Sequence, residues 1–272
     1  MRLATWNVNS IKARLDAALA WLDEGQPDVL ALQEIKCVED AFPREAFEEK
    51  GYKALISGQK SYNGVALLSR LPMEDPLTGL AGDEADEQAR YVEATVGGVR
   101  IASIYLPNGN PIGTDKYDYK LAWMRRLRER AAALIATGRP TALMGDFNVI
   151  PTAEDCYDPA AWADDALFLP ETLAEFHALT WLGFYDAFRT MKPNAPAAYT
   201  FWDYQAGAWQ KDNGIRIDHI LLSGAAVDRL TEADIDRRPR GRPKASDHTP
   251  IWCDLADAPP APRLGVADAL PA

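Results

Sequence analysis

The chain has 272 residues, 47% of them hydrophobic, with eight tryptophans, enough to fill a sizeable core and to exclude a disordered chain. No run of about 18 apolar residues occurs, which argues against a transmembrane helix, and the opening MRLATWNVNS lacks the charged and apolar regions of a signal peptide. The net charge of −11 counts against a generic polyanion binder, although acidic residues lining a metal site lower that sum without repelling an anion once the cation is bound.

In chain order, Arg2–Trp6 reads as a strand leading into Asn7 and Asn9, and Ile11, Leu15, Leu19 and Leu22 follow at helical spacing. Asp28–Leu32 is a second strand, ending at Gln33-Glu34, and Gly64–Ser69 a third. Val92–Val96 and Arg100–Leu106 form a predicted hairpin around Gly97-Gly98, leading to Tyr105 and Asn108. Leu121, Met124, Leu127, Ala131 and Leu134 mark a helix, with the alternating charges and tyrosines of Asp115–Lys120 as its solvated start. Thr141–Met144 ends at Gly145-Asp146-Phe147-Asn148, and Glu171–Leu182 after Pro170 is a further helix. Ile215–Ser223 carries Asp218, and Pro250–Leu255 follows Asp247-His248. Strands and helices mix without strict βαβ alternation, which predicts antiparallel or mixed sheets with helices outside rather than a doubly wound sheet. Residues 1–255 are expected to be one domain and the Ala- and Pro-rich residues 256–272 a flexible tail. Cys37, Cys156 and Cys253 show no CxxC spacing and read as reduced thiols of a cytoplasmic protein.

Asn7, Glu34, Asp146, Asn148, Asp218, Asp247 and His248 all fall at or near strand ends, where binding sites are commonly built. Taken singly, most are explained by turn chemistry, because Asn and Asp bond their own backbone after strands. Asp218 is different: within Arg216-Ile217-Asp218-His219-Ile220-Leu221-Leu222 a carboxylate needs a partner or a metal to offset desolvation. Oxygen donors dominate and the only histidines are His177, His219 and His248, so the pattern favours Mg²⁺ or Mn²⁺ over zinc. Glu34 with Asn7 nearby would suffice for such a cation. Asp218 and His219 point to opposite faces of a strand, and His177 on an apolar helix reads as structural. His248, in the loop before the last strand, is the best candidate to meet a phosphate, with Asp218 as the carboxylate that orients it. No phosphate loop, dinucleotide fingerprint, nucleophile elbow or EF-hand loop is present.

Trp6-Asn7-Val8-Asn9, Leu32-Gln33-Glu34, Gly145-Asp146-Phe147-Asn148, Arg216-Ile217-Asp218 and Ser246-Asp247-His248 occur in this order across nearly the whole folded chain. Together they resemble the exonuclease III family of abasic-site endonucleases, within the wider endonuclease/exonuclease/phosphatase superfamily. The resemblance implies an α/β fold, a four-layer α/β sandwich with two mixed β-sheets packed face to face and helices on the outer sides. It implies a Mg²⁺-dependent phosphodiesterase incising duplex DNA 5′ to abasic sites, with 3′–5′ exonuclease and 3′-phosphodiesterase activity. Glu34 resembles the main metal carboxylate, with Asn7, Asp146, Asn148, Asp247 and His248 around the cation. Asp146 resembles the residue activating the attacking water, Asn148 one that orients it, and His248, held by Asp218, the group that stabilises the phosphate. Tyr105 resembles a tyrosine facing the phosphate and Asn108 a phosphate-contacting asparagine.

In Tyr199-Thr200-Phe201-Trp202-Asp203-Tyr204, Phe201 and Trp202 resemble the aromatics that line a pocket for a base-free sugar, completed by Ile215 and Ile217. Read alone they would be ordinary core aromatics. The basic run Arg237–Lys244, including Arg242, would grip the DNA backbone at the cleft rim, with Lys36 and Arg90 as weaker candidates. The expected partner is double-stranded DNA with abasic sites or 3′ ends, no membrane, and the chain is expected to be a cytoplasmic, nucleoid-associated monomer. Two rivals are a phosphatase of the same fold acting on a small molecule or lipid head group, and a non-catalytic DNA-binding module. Asn9 stands where other members of the family carry a carboxylate.

Overall fold

The computed structural model describes residues 1–257, so the expected tail, apart from Ala256 and Asp257, lies outside the described residues. Twelve strands run β1 (Arg2–Asn7), β2 (Val29–Gln33), β3 (Lys53–Ser57), β4 (Val65–Ser69), β5 (Met73–Thr78), β6 (Tyr91–Val96), β7 (Val99–Tyr105), β8 (Thr141–Asp146), β9 (Phe184–Asp186), β10 (Asp218–Ser223), β11 (Leu230–Ile235) and β12 (Ile251–Leu255). They form two six-stranded sheets, ordered β11-β12-β1-β2-β4-β3 and β5-β6-β7-β8-β10-β9. Each sheet holds one parallel pair, β1 with β2 and β7 with β8, and all other pairings are antiparallel. Parallel neighbours need a crossover, supplied here by helices α1 (Leu15–Gly25) and α3 (Asp115–Ala136), with short α2 (Arg44–Glu48) and α4 (Pro170–Thr180) beside them.

The pleat sorts the side chains into layers. Leu3, Val29, Ala31 and Leu67 of the first sheet meet Val92, Ile101, Met144 and Ile220 of the second, filling the space between them. On the outer face of the first sheet, Ala4, Trp6, Leu30 and Leu32 pack against Ala18, Trp21 and Leu22 of α1. On the outer face of the second, Ile104, Leu143 and Leu221 pack against Trp123, Met124 and Leu127 of α3 and Phe176 of α4. The expected four layers are present. Among the described residues no helix is long and apolar enough to cross a membrane.

Two polar arrangements tie the layers together near one end. Thr5 donates to Gln33 Oε1 (3.1 Å) and Gln33 Nε2 donates to Ser103 (3.1 Å), a buried bridge from the first sheet to the second. Arg216, 1% exposed, donates Nε to Asp155 (2.8 Å) and Nη1 to Asp186 (2.5 Å), while Arg189 donates to Asp155 (2.6 Å). This ion cluster pins the start of β10 to β9 and to the loop after β8. The predicted strand from Ile215 therefore begins only at Asp218, because Ile215 and Arg216 turn aside to bridge Phe201 and Asp155.

Truncating one partner of a buried ion pair leaves the others uncompensated, so Arg216→Ala is expected to lower stability by about 3–5 kcal/mol, read by urea unfolding. Burial opposes ionisation of Asp155 and Asp186, but Arg216 outweighs it and holds both carboxyls below their ordinary range. Their stabilisation is full above the unfolded carboxylate pKa of about 4 and fades as pH falls below it. The wild-type and Arg216→Ala unfolding curves should accordingly converge on acidification; a constant gap down to strong acid would refute the ionic reading.

Candidate active site

The residues that end the inward-facing rows are polar and converge at one edge of the inter-sheet core. Leu3, Thr5 and Asn7 share one side of β1, and Ser103 and Tyr105 follow Ile101 on β7. Asp146 follows Met144 on β8, and Asp218 precedes Ile220 on β10. Tyr105, Asp146 and Asp218 stand in register across three adjacent strands, since Asp146 pairs with Tyr105 on one side and Asp218 on the other. The chain reaches this row at the C-terminal ends of both parallel pairs and the N-terminal end of β10. His248 arrives from the loop before β12, where Trp6 Nε1 donates to its carbonyl (3.2 Å). Gly145 cannot be replaced: a Cβ there would lie 1.9 Å from the Ile104 carbonyl oxygen. Glu34 and Asn148 both adopt left-handed backbone, with φ of 51° and 47°, a strained conformation common at functional sites.

Asn7 Nδ2 donates to Glu34 Oε1 (2.8 Å) and to Asp146 Oδ2 (2.9 Å), bridging a carboxylate from each sheet. His248 Nδ1 bonds Asp218 Oδ2 at 2.8 Å, and its Nε2 lies 3.8 Å from Asp146 Oδ2. Lys36 pairs with Glu34 Oε2 at 2.8 Å. Asn148 donates its backbone N–H to Asp146 Oδ1 (2.9 Å) and Nδ2 to the Leu106 carbonyl (2.9 Å), and accepts from Asn108 Nδ2 (3.0 Å).

The electrostatics follow from burial and these partners. Burial pushes the Asp146 carboxyl up, with Asp218 adding to the rise and His248 opposing it, to about 7. Burial alone would lower His248, but the Asp218 and Asp146 charges outweigh it and raise its imidazole to about 10. Burial likewise opposes ionisation of Glu34, yet Lys36 and Asn7 hold it below its usual range. Burial, then the Glu34 and Asp146 charges, keep the Tyr105 hydroxyl protonated. The site thus presents two N–H or O–H donors, His248 and Tyr105, opposite two carboxylates.

Ligand atoms of Glu34, Asp146 and His248 lie within 4.8 Å of one another. The oxygen donors suit a hard divalent cation, and the buried Asp146 carboxyl is the group a cation would compensate. Of the wider ligand set expected from the sequence, His248 joins Glu34 and Asp146 in this cluster, while the other members make the following contacts. Asn7 turns its NH₂ to the carboxylates while its Oδ1 accepts from Asn9 N–H (3.0 Å), and both Asn148 amide atoms are committed elsewhere. Asp247 is tied to Asn9 Nδ2 (3.1 Å). His248 is engaged at Nδ1 by Asp218, and Glu34 and Asp146 are the two carboxylates of the cluster.

The Tyr199–Tyr204 segment threads between the two halves of the site. Thr200 Oγ1 accepts from the Ile217 and Asp218 N–H groups (3.1 Å each), Trp202 N–H donates to the Asp247 carbonyl (2.9 Å), and the Phe201 ring meets His248 edge-on at 4.9 Å. Phe201 and Ile215 line a cavity of about 310 Å³ together with Tyr157, Trp162 and Asn213. Trp202 does not line it: fully buried, it packs against Tyr199 and Trp209 and donates to Asp212 (3.0 Å). Ile217 is buried in the cluster behind, with Ile150 and Leu167.

The basic run is not a free cationic rim. Arg237 pairs with Asp212, Arg238 with Asp236, and Arg242 with Glu24 (2.7 Å). Arg240 is buried over Tyr204 and Trp209 and donates to the Trp202 carbonyl (3.0 Å). Lys36 serves Glu34, and Arg90 lies over the Tyr105 ring at 4.7 Å. Sequence reading missed Trp162, Tyr157 and, above all, Lys120. Placed in a solvated helix start, Lys120 is in fact fully buried and donates to the Asn148 (2.7 Å) and Asn108 (3.0 Å) carbonyls, with burial lowering its pKa to about 7. The legible signal was its spacing of three and four residues before Trp123 and Met124, on the apolar stripe of α3.

A family model described as the endonuclease/exonuclease/phosphatase family matches residues 4–248. The chain is 31% identical to exodeoxyribonuclease III of Haemophilus influenzae, over 94% of this chain and all of that protein. The structure of an AP endonuclease from Archaeoglobus fulgidus superposes with a TM-score of 0.90 at 34% identity, covering 94% of this chain and 99% of that one. The 3′–5′ exonuclease NExo of Neisseria meningitidis superposes with a TM-score of 0.91 at 37% identity, covering 94% and 100%.

A ligand that binds only the folded state stabilises it by mass action, about 2.7 kcal/mol at a hundredfold excess over Kd. Adding Mg²⁺ or Mn²⁺ should raise the thermal midpoint of the wild type saturably, and Glu34→Ala should abolish the rise. A rise of the same size in both proteins would place the cation elsewhere.

Proposed function

The chain belongs to the endonuclease/exonuclease/phosphatase family, and we propose that it is a Mg²⁺-dependent DNA-repair phosphodiesterase, incising duplex DNA 5′ to abasic sites and acting on 3′ ends. The observation that carries this reading is the pairing of a protonated donor set, His248 and Tyr105, with the Glu34–Asn7–Asp146 carboxylate bridge in one buried row. Phosphoryl transfer asks for positioning and charge stabilisation rather than covalent chemistry, and this row supplies both.

Glu34 and Asp146 would hold a divalent cation, which would supply positive charge to the phosphate oxygens. Asp146, bonded by the Asn7 amide and the Asn148 N–H, is placed to accept the proton of the attacking water as its oxygen bonds phosphorus and the P–O3′ bond breaks, the departing 3′-oxygen taking a proton from solvent. His248 donates Nε2–H to a non-bridging phosphate oxygen, and Asp218 at Nδ1 fixes its orientation and its charge. Tyr105 adds an O–H donor, and Asn108 an amide beside Asn148.

Two hollows flank this centre and favour a polymer over a small phosphate ester. Bordering His248 through Phe201 is the cavity of about 310 Å³, lined by Phe201, Ile215, Trp162 and Tyr157 and also by Asp203, Gln205 and Asn213, of a size that favours a sugar without its base. Beyond Asn108 a second hollow of about 470 Å³ is lined by Tyr62, Arg90, Lys116 and Tyr119, room for a continuing strand.

Cleavage of a duplex with a single abasic-site analogue tests the reading, with inositol phosphates as the small-molecule alternative. We expect incision 5′ to the lesion with Mg²⁺ and none with EDTA. Removing one preorganised donor to developing charge costs about 10²–10³ in kcat, so His248→Ala should fall by that factor. An intact duplex beside hydrolysed inositol phosphate would replace the repair function with a phosphatase of the same fold.

A further inference from the structure

Among the buried residues of α3, Lys120 is the one that is not apolar. Its Nζ donates to the Asn148 carbonyl at 2.7 Å and to the Asn108 carbonyl at 3.0 Å. These two carbonyls belong to different loops, one after β8 and one after β7, and their side chains are joined in turn by the bond from Asn108 Nδ2 to Asn148 Oδ1. Gly109, at φ 88°, rests on the lysine stem, and a Cβ there would stand 2.6 Å from Lys120 Cδ. The stem, the backbone bonds and the side-chain bond form one closed clamp on the pair of amides.

We propose that Lys120 is a positioning residue for the reaction: its Nζ cross-links the two loops so that the joined Asn108 and Asn148 side chains are held in one fixed geometry beside the phosphate. The assignment rests on the functional reading of this site. Lys120 itself is fully buried on α3, with its Nζ on the two asparagine carbonyls, and acts only through them. A purely structural lysine would stabilise the fold and leave turnover per folded molecule unchanged. A positioning lysine does the opposite: a misplacement of about 1 Å costs on the order of 10²-fold in rate, while binding, spread over the flanking hollows, changes little.

The test is a double-mutant cycle measured on the abasic duplex with Mg²⁺, using wild type, Lys120→Met, Lys120→Arg, Asn108→Ala and Lys120→Met combined with Asn108→Ala. Methionine keeps the stem and removes the donors. We expect Lys120→Met to lose about 10²-fold in kcat with KM changed by less than about threefold, and Lys120→Arg to recover most of it. In the Asn108→Ala background the same change should cost far less, because residues acting as one unit are not additive. Urea unfolding gives the folded fraction for the correction. Wild-type kcat for folded Lys120→Met, or losses that multiply independently, would overturn the proposal while leaving the enzyme reading intact. Should Lys120→Met not fold, Gly109→Ala displaces the same stem from the other side and is expected to show the same loss confined to kcat; unchanged turnover there would overturn the proposal equally. An inert wild type would sink this proposal together with the reading it rests on.

Discussion

The amide of Asn7, donating to Glu34 from one sheet and Asp146 from the other, is the contact on which the site depends. Two carboxylates this close repel, and each is costly to bury alone. A neutral double donor between them fixes their separation without cancelling the charge a cation would use. That bridge can form only because both sheets place their last inward residues at the same edge, and this follows from the pleat. Once Leu3 and Met144 face each other in the inter-sheet core, Asn7 and Asp146 must face the same way at its rim. The repeated pattern of one parallel pair per sheet brings the C-terminal ends of β1, β2, β7 and β8 to that rim together.

The second constraint is charge balance in a space with little water. Asp218 is buried, its Oδ2 engages His248 Nδ1 at 2.8 Å, and burying the pair favours an imidazole that keeps its proton. The same proton makes His248 a hydrogen-bond donor facing the row of carboxylates. Thr200 enforces it mechanically, because its hydroxyl holds the backbone of Asp218 while its carbonyl accepts from Thr249 N–H (2.8 Å) beside His248.

What the sequence revealed was set by burial. All eight central strands were legible, because β1, β2, β4, β6, β7, β8 and β10 bury nearly all their residues and β12 alternates buried with half-buried ones. The strands that escaped notice, β3, β5, β9 and β11, are the four edges of the two sheets. They leave most residues exposed or half-buried, as with MEDPLT in β5, and read as loops. The site residues were legible as motifs because glycine, asparagine and aspartate are forced by backbone geometry there. Their division of labour was not, since it depends on which way the Asn7 and Asn148 amides turn. Lys120 and the arginines of 237–242 failed for one shared reason: a charged residue read from sequence looks solvated, and only tertiary partners reveal that it is spent internally.

That internal use of cations bears on how an acidic protein of net charge −11 can act on a polyanion. A nuclease that gripped any duplex through a basic face would lose time on intact DNA, because such contacts carry no information about damage. Here Arg237, Arg238 and Arg242 of the loop before His248 are paired with Asp212, Asp236 and Glu24, and Arg240 is buried against Tyr204 and Trp209, so these arginines shape that loop instead. At the buried row the protonated donor is His248. Productive binding then requires a phosphate to reach the buried row, which an abasic nucleotide does most cheaply because no base must be unstacked. On this reading, selectivity comes from withholding affinity everywhere except the site, and the acidic surface is part of how the proposed reaction finds its substrate.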